Sequence, residues 1–221
     1  VLPNYSASEE NYIKNIYHLQ QGTGYVTTNE LAATIKAKPA SITDMLKKLK
    51  AKKLVHYEPY KEFQLTVQGK KVALGIVRKH RLWEYFLVEK LSFGWDEVHE
   101  IAEELEHITS KKLIDQLDSF LDFPRFDPHG DPIPDSNGKM NAVQQILLTE
   151  LPEQKKSVVT MVGSQSTPLL ELLKHKSITI GSTVEIKKKF DFDESLELLI
   201  DGENTATISK QLATVLFVKP V

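Results

Sequence analysis

Cysteine is absent from the 221 residues, which excludes disulfides, thiolate metal sites and a cysteine nucleophile. No apolar run approaches the roughly 20 residues that a bilayer-spanning helix needs. The N-terminus has no basic stretch followed by an apolar core, so no secretory signal is expected. Neither a phosphate-binding glycine loop nor a tandem repeat is present. Excess charge of one sign is lacking too, since 28 Lys and Arg against 30 Asp and Glu leave a net charge of −2. What remains is sufficient for folding. With 41% hydrophobic and 26% charged residues the chain buries a core and is no disordered tail. The length admits two or three small domains, and the expectation is a soluble, cytoplasmic protein without a membrane association.

The balanced total hides an asymmetry. Residues 1–81 hold 14 basic and 6 acidic side chains, a net of +8. Residues 82–135 hold 4 and 14, a net of −10, and residues 136–221 hold 10 of each. A basic block suits a polyanion and an acidic block suits cations, although charges also segregate between solvated faces.

Ser6-Ala7-Ser8-Glu9 has capping-box spacing and opens a helix with Tyr12, Ile13, Ile16 and Tyr17 on its apolar face. Thr27-Thr28-Asn29-Glu30 is a second capping box before a short helix. After Ala37-Lys38 a third helix starts at Pro39, with Ile42, Met45, Leu46 and Leu49 at i, i+3, i+4, i+7. Val55–Tyr57 and Phe63–Thr66 flank Glu58-Pro59-Tyr60-Lys61 and form a hairpin, which completes a winged helix-turn-helix. Helices are expected from Val67 to about Val88, from Asp96 to about His107, from Ser110 to Leu121 and from about Asn141 to Leu151. Their apolar surface suggests a dimer interface. The proline-rich segment 123–138 is a connection. Short runs at Val158–Val162, Thr183–Ile186, Leu196–Ile200 and Thr214–Val218 suggest a small barrel of five or six strands, with a helical turn at Pro168–Leu173. The fold class is mainly α with a β C-terminal domain. Residues 1–72 form a winged helix-turn-helix, 73–140 a helical metal-binding and dimerisation domain, and 150–221 an SH3-like small barrel.

Two constellations carry chemistry. The third helix presents Ser41, Thr43, Lys47, Lys48 and Lys50 away from its apolar stripe, as a recognition helix does. Lysines and hydroxyls set register on phosphates, while Pro39, Ala40, Thr43 and Asp44 lie near the helix start, where base edges are read, and Lys38 is a further DNA-binding candidate. An ordinary solvated lysine face is the alternative. His99, Glu103, Glu106 and His107 fall within an arc of roughly 100° on one helix face. A metal ion would satisfy them, and imidazole with carboxylate suits Mn(II), Fe(II) or Zn(II). The competing explanation is a solvated acidic stripe, since Glu100 and Glu104 make other faces acidic as well. His80 and Glu84 form an i, i+4 pair, and Asp127-Pro128-His129 holds a carboxylate and an imidazole in a loop.

Glu9–Tyr17, Arg78-Lys79-His80-Arg81-Leu82, His99–His107, Phe123-Pro124, Pro128-His129-Gly130 and Pro132-Ile133-Pro134 resemble the diphtheria toxin repressor family, most of all its three-domain manganese-responsive members. The resemblance covers essentially the whole chain. It implies a cytoplasmic, homodimeric, metal-activated repressor that binds palindromic operator DNA and controls metal uptake. It implies a primary metal site at Asn11, Glu103, Glu106 and His107. An ancillary site would use His80, Glu84 and His99 or, as in some manganese-responsive members, Glu84, Asp127 and His129, with Gln165 the C-terminal candidate. Asn11 departs from the family, which places methionine or aspartate there, and Lys14 stands where two-domain members have a carboxylate. Glu10 is expected to point away, about 100° around the helix from Asn11. Glu103 replaces a cysteine of the iron-responsive members, which favours manganese first and iron second, while Zn(II) also suits the donors. A metalloenzyme using the Glu/His cluster and a metal-independent DNA-binding protein are the rival classes; the expectation is that the protein is not an enzyme.

Overall fold

A computed structural model describes residues 5–140 and 144–221. The chain divides into two compact units, Val1–His80 with Glu103–Phe120 and Pro134–Lys139, and Arg81–Ala102 with Leu121–Ile133 and Met140–Val221. Among the described residues no helix is long and apolar enough to cross a membrane.

The first unit begins with α1 (Ala7–Thr23), α2 (Thr28–Ile35) and α3 (Pro39–Ala51). Both expected capping boxes are formed. Ser6 accepts from the Glu9 amide while the Glu9 carboxylate accepts from the Ser6 amide, and Thr27 and Glu30 repeat the exchange. Gly24, at φ 83°, ends α1 in the left-handed region. Only Lys36, Ala37 and Lys38 separate α2 from α3, and Pro39 sits in the first turn of α3. Ile13, Ile16, Leu31, Ile42, Leu46 and Leu49 are fully buried, each contributing roughly 1.5–3 kcal/mol of transfer free energy. The wing pairs β1 (Val55–His56) with β2 (Gln64–Leu65), and Val26 exchanges two backbone hydrogen bonds of 2.9 Å with Phe63. A long helix, α4 (Val67–Leu91), follows. In the first unit Arg78 on α4 reaches Asp118 at 2.6 Å on α6 (Lys111–Phe120).

In the second unit α5 (Val98–Leu105) starts two residues later than Asp96 and stops before Glu106 and His107, which occupy a turn. The α5 helix itself runs through Glu103 and so continues into the first unit. The β domain is a six-stranded antiparallel sheet of order β3-β8-β4-β5-β6-β7. Its strands are β3 (Ile146–Leu147), β4 (Lys156–Val162), β5 (Thr183–Lys189), β6 (Leu196–Ile200), β7 (Asn204–Ile208) and β8 (Leu216–Pro220). Alternate residues such as Leu196, Leu198 and Ile200 face the core, which α7 (Thr167–His175) closes with Leu170 and Leu173. Bulges between Val159 and Met161 and between Ile186 and Lys188 bend the sheet. The fold class expected from the sequence is the one observed.

One element differs. In place of a helix from Asn141 to Leu151 the described part contains β3 and a 3₁₀ turn, Leu148–Glu150; Asn141, Ala142 and Val143 lie outside the described residues. Ile146 pairs with Val218 and Leu147 with Phe217, so a sheet edge overrides the helical pattern of this segment. The last strand also begins later than Thr214, because Ser209 caps a short helix, α8 (Lys210–Ala213), just before it.

Candidate metal centres and nucleic-acid surface

In the second unit the loop after Leu121 is organised around Asp127. Its Oδ1 accepts from the amides of His129 (2.8 Å) and Asp131 (3.0 Å), while its backbone amide donates to the Asp131 carbonyl. Gly130, at φ 87°, packs against β4 so closely that a Cβ would stand 1.9 Å from the Thr160 carbonyl oxygen. The Val162 amide donates to the His129 carbonyl at 3.0 Å, which fixes the loop on β4. This arrangement aims Asp127 Oδ2 and His129 Nδ1 at Glu84 of α4. One donor atom from each of the three lies within 4.8 Å of the others, and all three residues are buried.

The chemistry of this cluster would suit a cation. His129 Nε2 is 2.8 Å from the Trp95 carbonyl, which takes its proton and leaves Nδ1 facing the carboxylates. Neither His129 Nδ1 nor Asp127 Oδ2 makes a hydrogen bond, and both are buried. Burial first, then repulsion from Glu84 and Asp131, pushes the Asp127 carboxyl up to about 8, against the pull of Arg81 and His129. For His129, burial opposes ionisation, but the nearby carboxylates, Glu84 at 3.7 Å and Asp127, raise its pKa. Arg81 Nε stands 3.5 Å from Asp127 Oδ2 and its Nη2 3.0 Å from Asp131. These donors, two carboxylates and one imidazole, fit a divalent ion of the manganese, iron or zinc class. His99 is beside them, its Nδ1 3.4 Å from Glu84 Oε1. Gln165 is held at the same loop by a bond of 3.2 Å from its Nε2 to Asp131.

The first unit holds a different cluster. Lys14 of α1 reaches Glu103 Oε1 at 2.5 Å and the two oxygens of Glu106 at 2.7 and 2.8 Å. His80 Nδ1 is 2.7 Å from Glu106 Oε2, and His107 Nδ1 is 2.7 Å from Glu10. Glu106 is fully buried; burial raises its pKa, but His80 and Lys14 outweigh that and hold its carboxyl below the ordinary value. Asn11 Oδ1 is buried and makes no hydrogen bond.

Two expectations need correction here. Glu10, expected to point away, meets His107 and lies 3.5 Å from Lys79. The reason is that the cluster centres on Lys14. Glu10 precedes Lys14 by four residues and Asn11 by three, so they flank it at about 40° and 60° on either side. Nor do the four residues His99, Glu103, Glu106 and His107 share one helix face: α5 ends before Glu106, and His107 meets Glu10. The i, i+4 pair Glu10/Lys14 was the available signal. The Trp95 carbonyl and Arg81 were not foreseen, and a carbonyl leaves no trace in a sequence.

On α3, Lys38, Pro39, Ala40, Ser41, Asp44, Lys47 and Lys48 are exposed and Thr43 is half-buried. Lys47 lies 3.2 Å from the exposed Asp44. Lys48 is 3.2 Å from Glu9, a buried carboxylate that it shares with Lys52 at 2.5 Å. A groove of about 540 Å³ between the end of α3 and the wing is lined by Lys50, Lys53, His56 and Lys61 among others. Lysines predominate on this surface, with Asp44 on α3 and Glu58 and Glu62 in the groove among them, and such a surface can neutralise phosphates.

Three family models match the chain. The N-terminal DNA binding domain of iron dependent repressors covers residues 4–63, their metal binding and dimerisation domain residues 66–135, and the FeoA domain residues 146–220. The HTH-type transcriptional regulator MntR of Oceanobacillus iheyensis is 33% identical over 116 residues, 52% of this chain and 78% of the relative. The iron-dependent repressor IdeR of Mycobacterium leprae is 25% identical over 226 residues, 96% of each chain. Among solved structures, a manganese-dependent transcriptional repressor in complex with manganese matches with a TM-score of 0.88 at 30% identity, covering 96% of this chain and all of that one.

Proposed function

Since the chain belongs to the iron dependent repressor family, the family of the diphtheria toxin repressor, we propose that it is a metal-dependent, DNA-binding transcriptional repressor controlling metal uptake and homeostasis, manganese first and iron second. The family consists of DNA-binding regulators rather than enzymes. The observation that carries the reading is the buried convergence of Glu84, Asp127 and His129, with Asp127 Oδ2 and His129 Nδ1 making no hydrogen bond.

In this reading Mn(II) or Fe(II) is held by Glu84, Asp127 and His129, with His99 beside Glu84 and Gln165 at the loop. Zn(II) suits the same donors. Asn11, Glu103, Glu106 and His107, joined by His80, are a second donor set. The metal supplies the positive charge that lets the carboxylates of each set approach. Lys38, Pro39, Ala40, Ser41, Thr43, Asp44, Lys47 and Lys48 contact operator DNA, and a homodimer in the cytoplasm places two α3 helices on a palindromic site. Domain boundaries at 1–72, 73–140 and 150–221 accord with this division of labour. Activation is limited by the difference in metal affinity between DNA-competent and incompetent states.

A gel-shift titration of operator DNA with and without Mn(II) tests the proposal. Binding that rises with Mn(II) and is lost on chelation is expected. Equal binding in both conditions would leave a metal-independent DNA-binding protein.

A further inference from the structure

Lys14 is 6% exposed, and its ammonium lies against three carboxylate oxygens of Glu103 and Glu106. A buried ammonium is tolerated only where carboxylates compensate it, and here it takes the two that a metal would need. Glu106 is engaged twice, by Lys14 and by His80 at 2.7 Å. Of the neighbours of Lys14 on α1, Asn11 is an amide without charge, and Glu10 is engaged by His107 at 2.7 Å and Lys79 at 3.5 Å. A divalent ion between Glu103 and Glu106 would stand beside the ammonium and be repelled unless the side chain left.

We propose that Lys14 is a tethered competitor cation that occupies the place between Glu103 and Glu106. It keeps this donor set closed at Mn(II) concentrations that fill the Glu84, Asp127 and His129 set. Metal enters the first set only by expelling Lys14, so the two sets answer to well-separated metal concentrations. The inference rests on the metal-binding reading above and adds an order of filling to it. The contrast lies within the chain: the Asp127 set has an arginine at 3.5 Å from one carboxylate oxygen, whereas the Glu106 set has an ammonium in direct contact with both of its glutamates.

The test is a calorimetric Mn(II) titration of the full chain, with bound metal counted by equilibrium dialysis. Wild type is expected to take one tight equivalent per subunit. Lys14→Met, which keeps the length of the stem and removes the charge, should take two, the second at least tenfold tighter than any weak second event in wild type. Lys14→Arg retains the charge and should stay at one. Two equivalents of similar affinity in wild type, or an unchanged count in Lys14→Met, would overturn the proposal. Should Lys14→Met fail to fold, anomalous scattering from wild-type crystals at stoichiometric Mn(II) decides: a peak between Glu103 and Glu106 refutes it, and a peak confined to Glu84, Asp127 and His129 supports it. Failure of the underlying reading has a separate signature, the absence of any tight Mn(II) equivalent in wild type and in every variant.

Discussion

Glu9 completes the capping box of α1 and also takes the ammonium groups of Lys52 and Lys48 from α3. Burial raises its carboxyl pKa, but the bond from Lys52, the Ser6 amide and Lys48 more than offset this, and the value falls to about 2. A depressed carboxylate stabilises the fold above its unfolded value of 4.5 and ceases to do so as pH falls through 2. Glu9→Gln should therefore cost about 1–2 kcal/mol in urea unfolding at pH 7, and the difference from wild type should shrink as pH drops from 4.5 toward 2. The same ion pair divides the lysines of α3. Lys48 is held by Glu9, whereas Lys47 has only an exposed partner in Asp44. Lys47→Ala should reduce the salt dependence of operator binding by about one phosphate contact, and more than Lys48→Ala does. Gly130 is the second residue whose identity is forced. Gly130→Ala adds a Cβ into the Thr160 carbonyl at a positive φ, so it should destabilise by about 2–4 kcal/mol and weaken Mn(II) binding at least tenfold in calorimetry.

In the proposed function, α3 recognises DNA and the loop around Asp127 senses metal. Thr43→Ala, at the half-buried position near the start of α3, should alter the preferred operator sequence in a selection from random DNA, while Lys47→Ala should leave the preference unchanged. The winged helix was legible because its signals are local: two capping boxes, a proline in the first turn and an i, i+3, i+4, i+7 stripe. The C-terminal strands β4, β5, β6 and β8 were legible for the same reason, whereas β7, with Asn204, Thr205 and Thr207 exposed, was not. The two-residue strand β3 was not, since only pairing with β8 makes Ile146 and Leu147 a strand. In the metal centres, residue types and spacing named Glu84, Asp127 and His129 separately, and the family resemblance joined them. The contact of His80 with Glu106 and the burial of Glu10 depend on how α4 and α1 meet the turn at Glu106 and His107, which no spacing along one helix encodes.

For the whole molecule, the concentration of charge matters more than its total. The net +8 of residues 1–81 should make operator affinity fall linearly on a log–log plot against salt, measurable by fluorescence anisotropy. Metal affinity should depend on pH in the opposite sense to proton occupancy. Asp127 is held near 8 by burial and by Glu84, so below that pH Mn(II) must displace a proton. Apparent affinity should rise about tenfold per pH unit between 6 and 8 while one proton is released, and flatten above. Titrations in buffers of different ionisation enthalpy count the released protons directly; a pH-independent affinity would place the metal elsewhere.

The Trp95 ring stacks on His129, with centroids 5.9 Å apart and planes 21° from parallel, while its carbonyl fixes the imidazole tautomer. Indole emission is quenched by a protonated imidazole in contact far more than by a neutral one, so the state of the sensor is written into the light the protein emits. With only two tryptophans in the chain, a Trp83→Phe variant leaves Trp95 as the single emitter. Diamagnetic Zn(II) at His129 should then change the Trp95 emission without any attached dye, and the chain would serve as its own optical gauge of metal occupancy.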